Sequence, residues 1–144
     1  MISITNKTLQ DLEFTTILET ISEKCNTEIG KEKALEITPF KDKETLMDAL
    51  LQTSEYVSSF SNNNAIPNHG FEAITYEIKF LASEDSFLEV GSFRKIATLS
   101  ETSNFMLNFL KKFEDYYPYL NKKASEVLIT KEIVQKIDVV VDKY

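Results

Sequence analysis

A chain of 144 residues with one cysteine and one histidine, Cys25 and His69, has few routes to covalent or metal chemistry. A structural zinc cage takes four Cys or His ligands, and one of each cannot build it. A single cysteine cannot close an internal disulfide. A Ser-His-Asp arrangement would have to run through His69. That residue lies in the stretch Asn62 to Gly70, where an exposed turn residue is expected. Cys25 falls on an apolar stripe and reads as a small buried hydrophobe. A reactive thiolate would need cationic neighbours, and only Lys24 adjoins it. Gly30-Lys31-Glu32 offers the Gly-Lys of a phosphate-binding loop, but lacks the upstream glycine and the hydroxyl that would complete it. Glu84-Asp85 could be half of a carboxylate pair and reads instead as a solvated break between helices. Tyr116-Tyr117-Pro118-Tyr119 could stack bases or dock a partner, and reads as packing at the edge of a core. No constellation amounts to a catalytic site, so no catalytic, cofactor-binding or metal-binding residue is assigned.

The elements that would position these groups are helical. Three glycines and three prolines are too few for the turns of a sandwich or barrel. The first helix is expected from about Leu12 to Cys25, with Thr16 and Glu19 as a capping box and Ile17, Ile21 and Cys25 recurring beside Leu18. A second runs from about Thr27 to Ile37, stopped by Pro39. Gly30 marks either the turn between these two or a close approach of another helix. The third, Asp42 to Phe60, has Asp42 as N-cap and an apolar stripe of Leu46, Leu50, Thr53, Val57 and Phe60. A loop over 61–70 precedes a fourth helix, Phe71 to Leu81, with Phe71, Ile74, Ile78 and Leu81 on one face. A polar break follows at Ser83 to Ser86.

The fifth helix, about Glu89 to Tyr116, is the longest. Ile96, Leu99, Ser103, Met106, Leu110 and Phe113 form a seven-residue repeat, with Phe105 and Phe109 as a second stripe. A face that wide predicts packing on two neighbours. Roughly 28 residues would make a rod of about 40 Å, ended by Pro118. Ile96, Leu99, Phe105, Met106, Phe109, Leu110 and Phe113 are the candidate packing or partner interface. In the tail, Ile133 to Val141 fits a helix or a strand, and we read helix from Thr130. The fold class is therefore all-α, a multi-helix bundle with one long helix. Residues 1–120 form the bundle and residues 121–144 a helical segment, with an extended conformation as the alternative.

Net charge narrows the partners. Sixteen Lys and Arg against twenty-three Asp and Glu leave −7, which repels a polyanion. The basic spots Lys31/Lys33, Lys111/Lys112 and Lys122/Lys123 are diluted by nearby acids, so tight DNA binding by this chain itself is not expected. No apolar run is long enough for a transmembrane helix. Met1 to Lys7 lacks the basic start and apolar stretch of a signal peptide, so the expected compartment is the cytoplasm, with no membrane partner.

Several segments resemble one family. Thr8-Leu9-Gln10-Asp11-Leu12-Glu13-Phe14-Thr15-Thr16-Ile17-Leu18 is similar to the opening T-L-x-x-L-E-F-x-x-I-L of the type II MutS proteins. Glu28-Ile29-Gly30-Lys31-Glu32-Lys33-Ala34-Leu35 with Pro39 resembles their E-x-G-K-E-x-A-L…P. Leu50-Leu51-Gln52-Thr53-Ser54-Glu55 resembles their L-x-x-T-x-E, and Ile137-Asp138 through Asp142-Lys143-Tyr144 resembles a stretch leading on to the rest of their core. The chain departs from that pattern at Thr15-Thr16, where an acidic cap is usual, and at Glu84 to Leu88, where a Gly-rich turn is common.

The resemblance implies the N-terminal helical core and lever region of a DNA mismatch-repair-related protein. In that family a DNA clamp, a dimerising P-loop ATPase that uses ATP and Mg²⁺, and an Smr endonuclease domain follow. The family's roles are recombination suppression, binding of branched DNA and action on stalled ribosomes. It implies as partners the remaining domains of a longer chain, and a parent homodimer that binds DNA or ribosomes. None of the family's catalytic residues falls on this chain. The alternative from the residues alone is a free-standing helical adaptor that binds another protein through Phe105 and Phe109.

Overall fold

The computed structural model describes residues 4–141. Met1 to Ser3 of the N-terminal reading, and Asp142 to Tyr144 of the resemblance and of the 121–144 segment, lie outside them. Among the described residues the chain is all-helical: α1 (Asn6–Asp11), α2 (Phe14–Glu23), α3 (Glu28–Leu35), α4 (Lys43–Ser59), α5 (Thr75–Leu81), α6 (Val90–Lys112), α7 (Pro118–Ala124) and α8 (Lys131–Val140). Two compact units divide after Lys41. The expected division after residue 120 falls inside α7.

In the first unit, polar side chains start the helices. The Thr5 hydroxyl accepts from the Thr8 N–H (3.2 Å) to cap α1, and the Thr27 hydroxyl accepts from the Gly30 N–H (3.0 Å) to cap α3. Gly30 lies within α3, in its first turn. A Cβ there would come within 2.9 Å of the Thr27 hydroxyl and 3.4 Å of the Cys25 Cβ, so the missing side chain leaves room for the cap and for the end of α2.

The capping box at Thr16 and Glu19 is not formed. The chain turns earlier, at Glu13, which takes a left-handed conformation (φ 51°) at the α2 N-cap. Thr16 is already helical, and its carbonyl accepts from the Thr20 hydroxyl. The face of α2 also differs from the Ile17/Ile21/Cys25 stripe. Leu18 and Ser22 are buried while Ile17 and Ile21 stay exposed. The small Ser22 lets α3 approach, and its hydroxyl donates to the Lys31 carbonyl (3.2 Å). Cys25 is half-buried, its thiol aimed at the Ile21 carbonyl.

In the second unit Asp42 caps α4. Its carboxylate accepts from the Thr45 N–H and hydroxyl, each at 2.8 Å. The backbone N–H of Thr45, then its hydroxyl, holds the Asp42 carboxyl below the ordinary aspartate range. The apolar stripe of α4 does not face inward. Leu46, Leu50, Val57 and Phe60 are exposed, Phe60 to 73%, while Ser59 is buried and Glu55 half-buried. Helix α5 is shorter than the expected 71–81, beginning at Thr75 after Ile74 in a non-helical conformation, and Ile78 and Leu81 face outward. Asp85, at φ 57°, turns the chain in the polar break, a conformation that Asp tolerates.

Helix α6 spans 23 residues, about 35 Å, and ends at Lys112 rather than Tyr116. Pro118 does not end it. It occupies the first turn of a separate helix, α7, where its missing N–H costs nothing. As its wide face predicts, α6 packs on two helices, α7 and α8. Towards α8, Ala97 forms a small core with Ile137 and Val141, and Phe93 and Ile96 pack against it. The tail is helix.

Candidate functional site

The second unit carries an open apolar groove of about 420 Å³. Tyr56 of α4, Ile66 and Phe71 of the loop, Met106, Leu107 and Leu110 of α6, Leu120 and Ala124 of α7, and Val127 beyond it make the walls. Polar groups come from Thr102, Ser103, His69 and Lys123, and among the described residues no acid lines it.

Three interactions fix these walls. The Tyr117 ring is fully buried, 6.0 Å from Phe109 between centroids, and its hydroxyl donates to the Asn64 carbonyl. That bond ties the polar loop to the start of α7. Glu55 of α4 reaches the same place. Its carboxylate accepts the N–H of Tyr119 (2.9 Å) and of Leu120 (2.8 Å), capping α7 from another helix. At the far end, the buried Asn104 of α6 accepts the Thr130 N–H (2.7 Å), pinning the segment after Val127. His69 is exposed, with its Nδ1 3.0 Å from the Pro67 carbonyl and its ring edge-on to Tyr56 at 5.8 Å. Among the described residues no carboxylate or nucleophile pairs with it.

The predicted interface residues do not form one face. Met106 and Leu110 enter the groove, and Leu110 is buried. Ile96 packs against the α8 core. Phe109 and Phe113 stack on each other (4.8 Å). Phe105 is exposed and Leu99 half-buried. Of the tyrosine cluster only Tyr117 is buried, while Tyr116 is exposed. Glu55, Tyr56, Phe71, Asn104 and Leu120 belong to the site and were not singled out as candidates. Phe71 carried a signal as the first residue of a helix face, and Glu55 as the last residue of Leu50 to Glu55, though nothing in that segment says its carboxylate caps α7.

A second, polar pocket of about 300 Å³ is lined by Glu72, Gly91, Arg94, Lys95 and Thr98. Lys95 bridges Glu72 (3.0 Å) and the buried Glu77 (3.9 Å). The hydrogen bond to Glu72, then its charge, raises the Lys95 ammonium above the usual lysine range. Among the described residues no group of three His, Cys, Asp or Glu is placed to hold a metal ion, and no helix is long and apolar enough to cross a membrane. Glu84 and Asp85 lie in the turn after α5, and neither lines the groove or the polar pocket.

No family profile matches the chain, and no solved structure does. Three curated sequences do. The chain is 25% identical over 134 residues to the endonuclease MutS2 of Alkaliphilus oremlandii, covering 92% of this chain and 17% of that protein. It is 26% identical over 137 residues to endonuclease MutS2 of Staphylococcus epidermidis, with the same two shares. A second strain of that species gives 24% over 143 residues. The chain spans about a sixth of the length of these relatives. Nearly all of its sequence is thus similar to a minor part of the MutS2 endonucleases.

Proposed function

We propose that this chain is a helical scaffold segment of a type II MutS-like protein, and that it passes movement between a nucleotide-binding part and a DNA-gripping clamp. The observation that carries this reading is uncovered surface. Even counted as two separate compact bodies, a chain of 16.5 kDa divided after Lys41 would expose roughly 9,000 Å². This one exposes 11,434 Å². Much of the excess is apolar and ordered on helices: Leu46, Leu50, Val57 and Phe60 on α4, Val139 and Val140 on α8. Such faces call for further protein.

The sequence similarity to longer proteins supports the same view. Stiff packed helices such as α6 move as units, which is what a mechanical link requires. The parent's ATP and Mg²⁺ chemistry, its endonuclease activity and its DNA or ribosome target belong to this proposal, and none is assigned to a residue here. A free-standing adaptor would cover its own core, and the bare α4 stripe weighs against it.

The test is a chimera. This chain replaces the matching segment of the Alkaliphilus oremlandii endonuclease MutS2. The chimera should be soluble and keep that protein's activity. Serine at Leu50, Val57 and Phe60 together should leave the isolated chain folded and disable the chimera. An ATPase or nuclease activity in the pure isolated chain, or a chimera indifferent to the triple change, would overturn the reading.

A further inference from the structure

The polar pocket beside α6 holds the chain's single arginine, and among the described residues Arg94 has neither an ion pair nor a hydrogen bond. Gly91, Lys95 and Thr98 recur at helical spacing, with Arg94 beside them. One side of α6 therefore offers a guanidinium, an ammonium and a hydroxyl to the same hollow. A Cβ on Gly91 would meet nothing within 4 Å, so that turn leaves the hollow open. The remaining lining residue is Glu72, which precedes α5.

The two acids near Lys95 differ in freedom. Glu77 is buried, its carboxylate 3.9 Å from the Lys95 Nζ. Glu72 lies closer, at 3.0 Å, but its side chain is 73% exposed. An exposed ion pair of this kind is weak, so Glu72 can leave while Glu77 stays. A carboxylate thus already sits on part of the pocket, and it leaves Arg94 and Thr98 unused.

We propose that this pocket binds a small phosphomonoester, and that Glu72 occupies the anion position until the phosphate displaces it. Three kinds of donor suit a group with three terminal oxygens, and the arginine fork grips two of them at once. A phosphate near its full charge of −2 also outcompetes a single carboxylate for Arg94 and Lys95 together. The ligand is small. The volume of about 300 Å³ is at the lower end of ligand pockets, and no aromatic or aliphatic side chain lines it to take a base or an acyl chain. A nucleic acid is disfavoured by the net charge of −7, and by Glu89 and Glu101, which flank the pocket along α6 without lining it. The inference goes beyond the scaffold reading and does not depend on it, because the α4 stripe plays no part in this pocket.

Amide-detected NMR titration of the whole 144-residue chain tests it, with glycerol 1-phosphate, inorganic phosphate and acetate as probes at one ionic strength. Both phosphates should give saturable shifts centred on Gly91, Arg94, Lys95 and Thr98, and acetate should bind about tenfold more weakly. Arg94→Gln should weaken glycerol 1-phosphate about tenfold or more, and Arg94→Lys, which keeps the charge and loses the fork, should fall between. Glu72→Gln should tighten it about threefold to tenfold, because the competing carboxylate is gone. Lys95 is not substituted, since its loss would strand the buried Glu77. Lys111→Gln, at the far end of α6, should change nothing. Unchanged circular dichroism in each variant shows that the fold is kept. Shifts that do not saturate or that spread over every lysine, equal binding of acetate, an indifferent Arg94→Gln, or a Glu72→Gln that fails to tighten binding would each overturn the proposal.

Discussion

Single residues here act mostly by satisfying backbone groups at helix ends. Asp42 gives a prediction with a definite sign. Its carboxyl is held below the ordinary aspartate value by the Thr45 N–H and hydroxyl. The stabilisation is present above the unfolded pKa, and is lost as pH falls through the lowered folded value. Asp42→Ala should therefore lower the melting temperature at neutral pH, and the gap to wild type should close in strong acid. A pH-independent gap would show that the charged cap is not the cause. Tyr117→Phe isolates one hydroxyl. Its ring stays packed on Phe109 while the Asn64 carbonyl loses its partner, at a cost of about 1–2 kcal/mol in urea unfolding. The two helical glycines should behave in opposite ways. Gly91→Ala meets open space and should stabilise α6 by about 0.5–1 kcal/mol, whereas Gly30→Ala collides with the Thr27 hydroxyl and should destabilise α3.

At the level of elements, α7 depends on a neighbour. Seven residues are too few for a stable isolated helix, and its start is capped by a side chain more than sixty residues earlier in the chain. Glu55→Ala should cost about 1–3 kcal/mol and speed amide exchange at Tyr119 and Leu120 before exchange rises in α6. Protection unchanged at those two amides would remove Glu55 from the role. The long helix was legible because the periods around Ile96 to Leu110 are strong. Its end was not. Tyr116-Tyr117-Pro118 reads as a stop, yet proline suits the first turn of a helix as well as the region past its end, and burial of Tyr117 decides between the two.

For the whole molecule, apolar periodicity did not say which face is inside. The α4 stripe points to solvent, and the inward side uses Ser59 and Glu55, because small and polar residues admit close neighbours or cap them. The same holds on α6, where Ser100 and Asn104 are buried. If the bare faces are docking surfaces, polar replacement of Leu50, Val57 and Phe60 should cut binding of a hydrophobic dye and leave urea stability within about 0.5 kcal/mol of wild type. A large loss of stability would mean that the stripe already supports this fold.

Glycine and proline scarcity, capping residues such as Asp42 and Thr27, and the heptad steps of α6 made the sequence alone sufficient for an all-helical chain with one long rod. Those signals are local, set by neighbours within a turn or two. The groove was decided by tertiary structure. It needs Tyr56, Phe71, Met106, Leu120 and Val127 brought together across more than sixty residues, and bonds from Glu55, Tyr117 and Asn104 to backbone groups far along the chain. No spacing rule encodes a side chain that caps another helix, because the partner is chosen by packing in space and not by distance along the sequence.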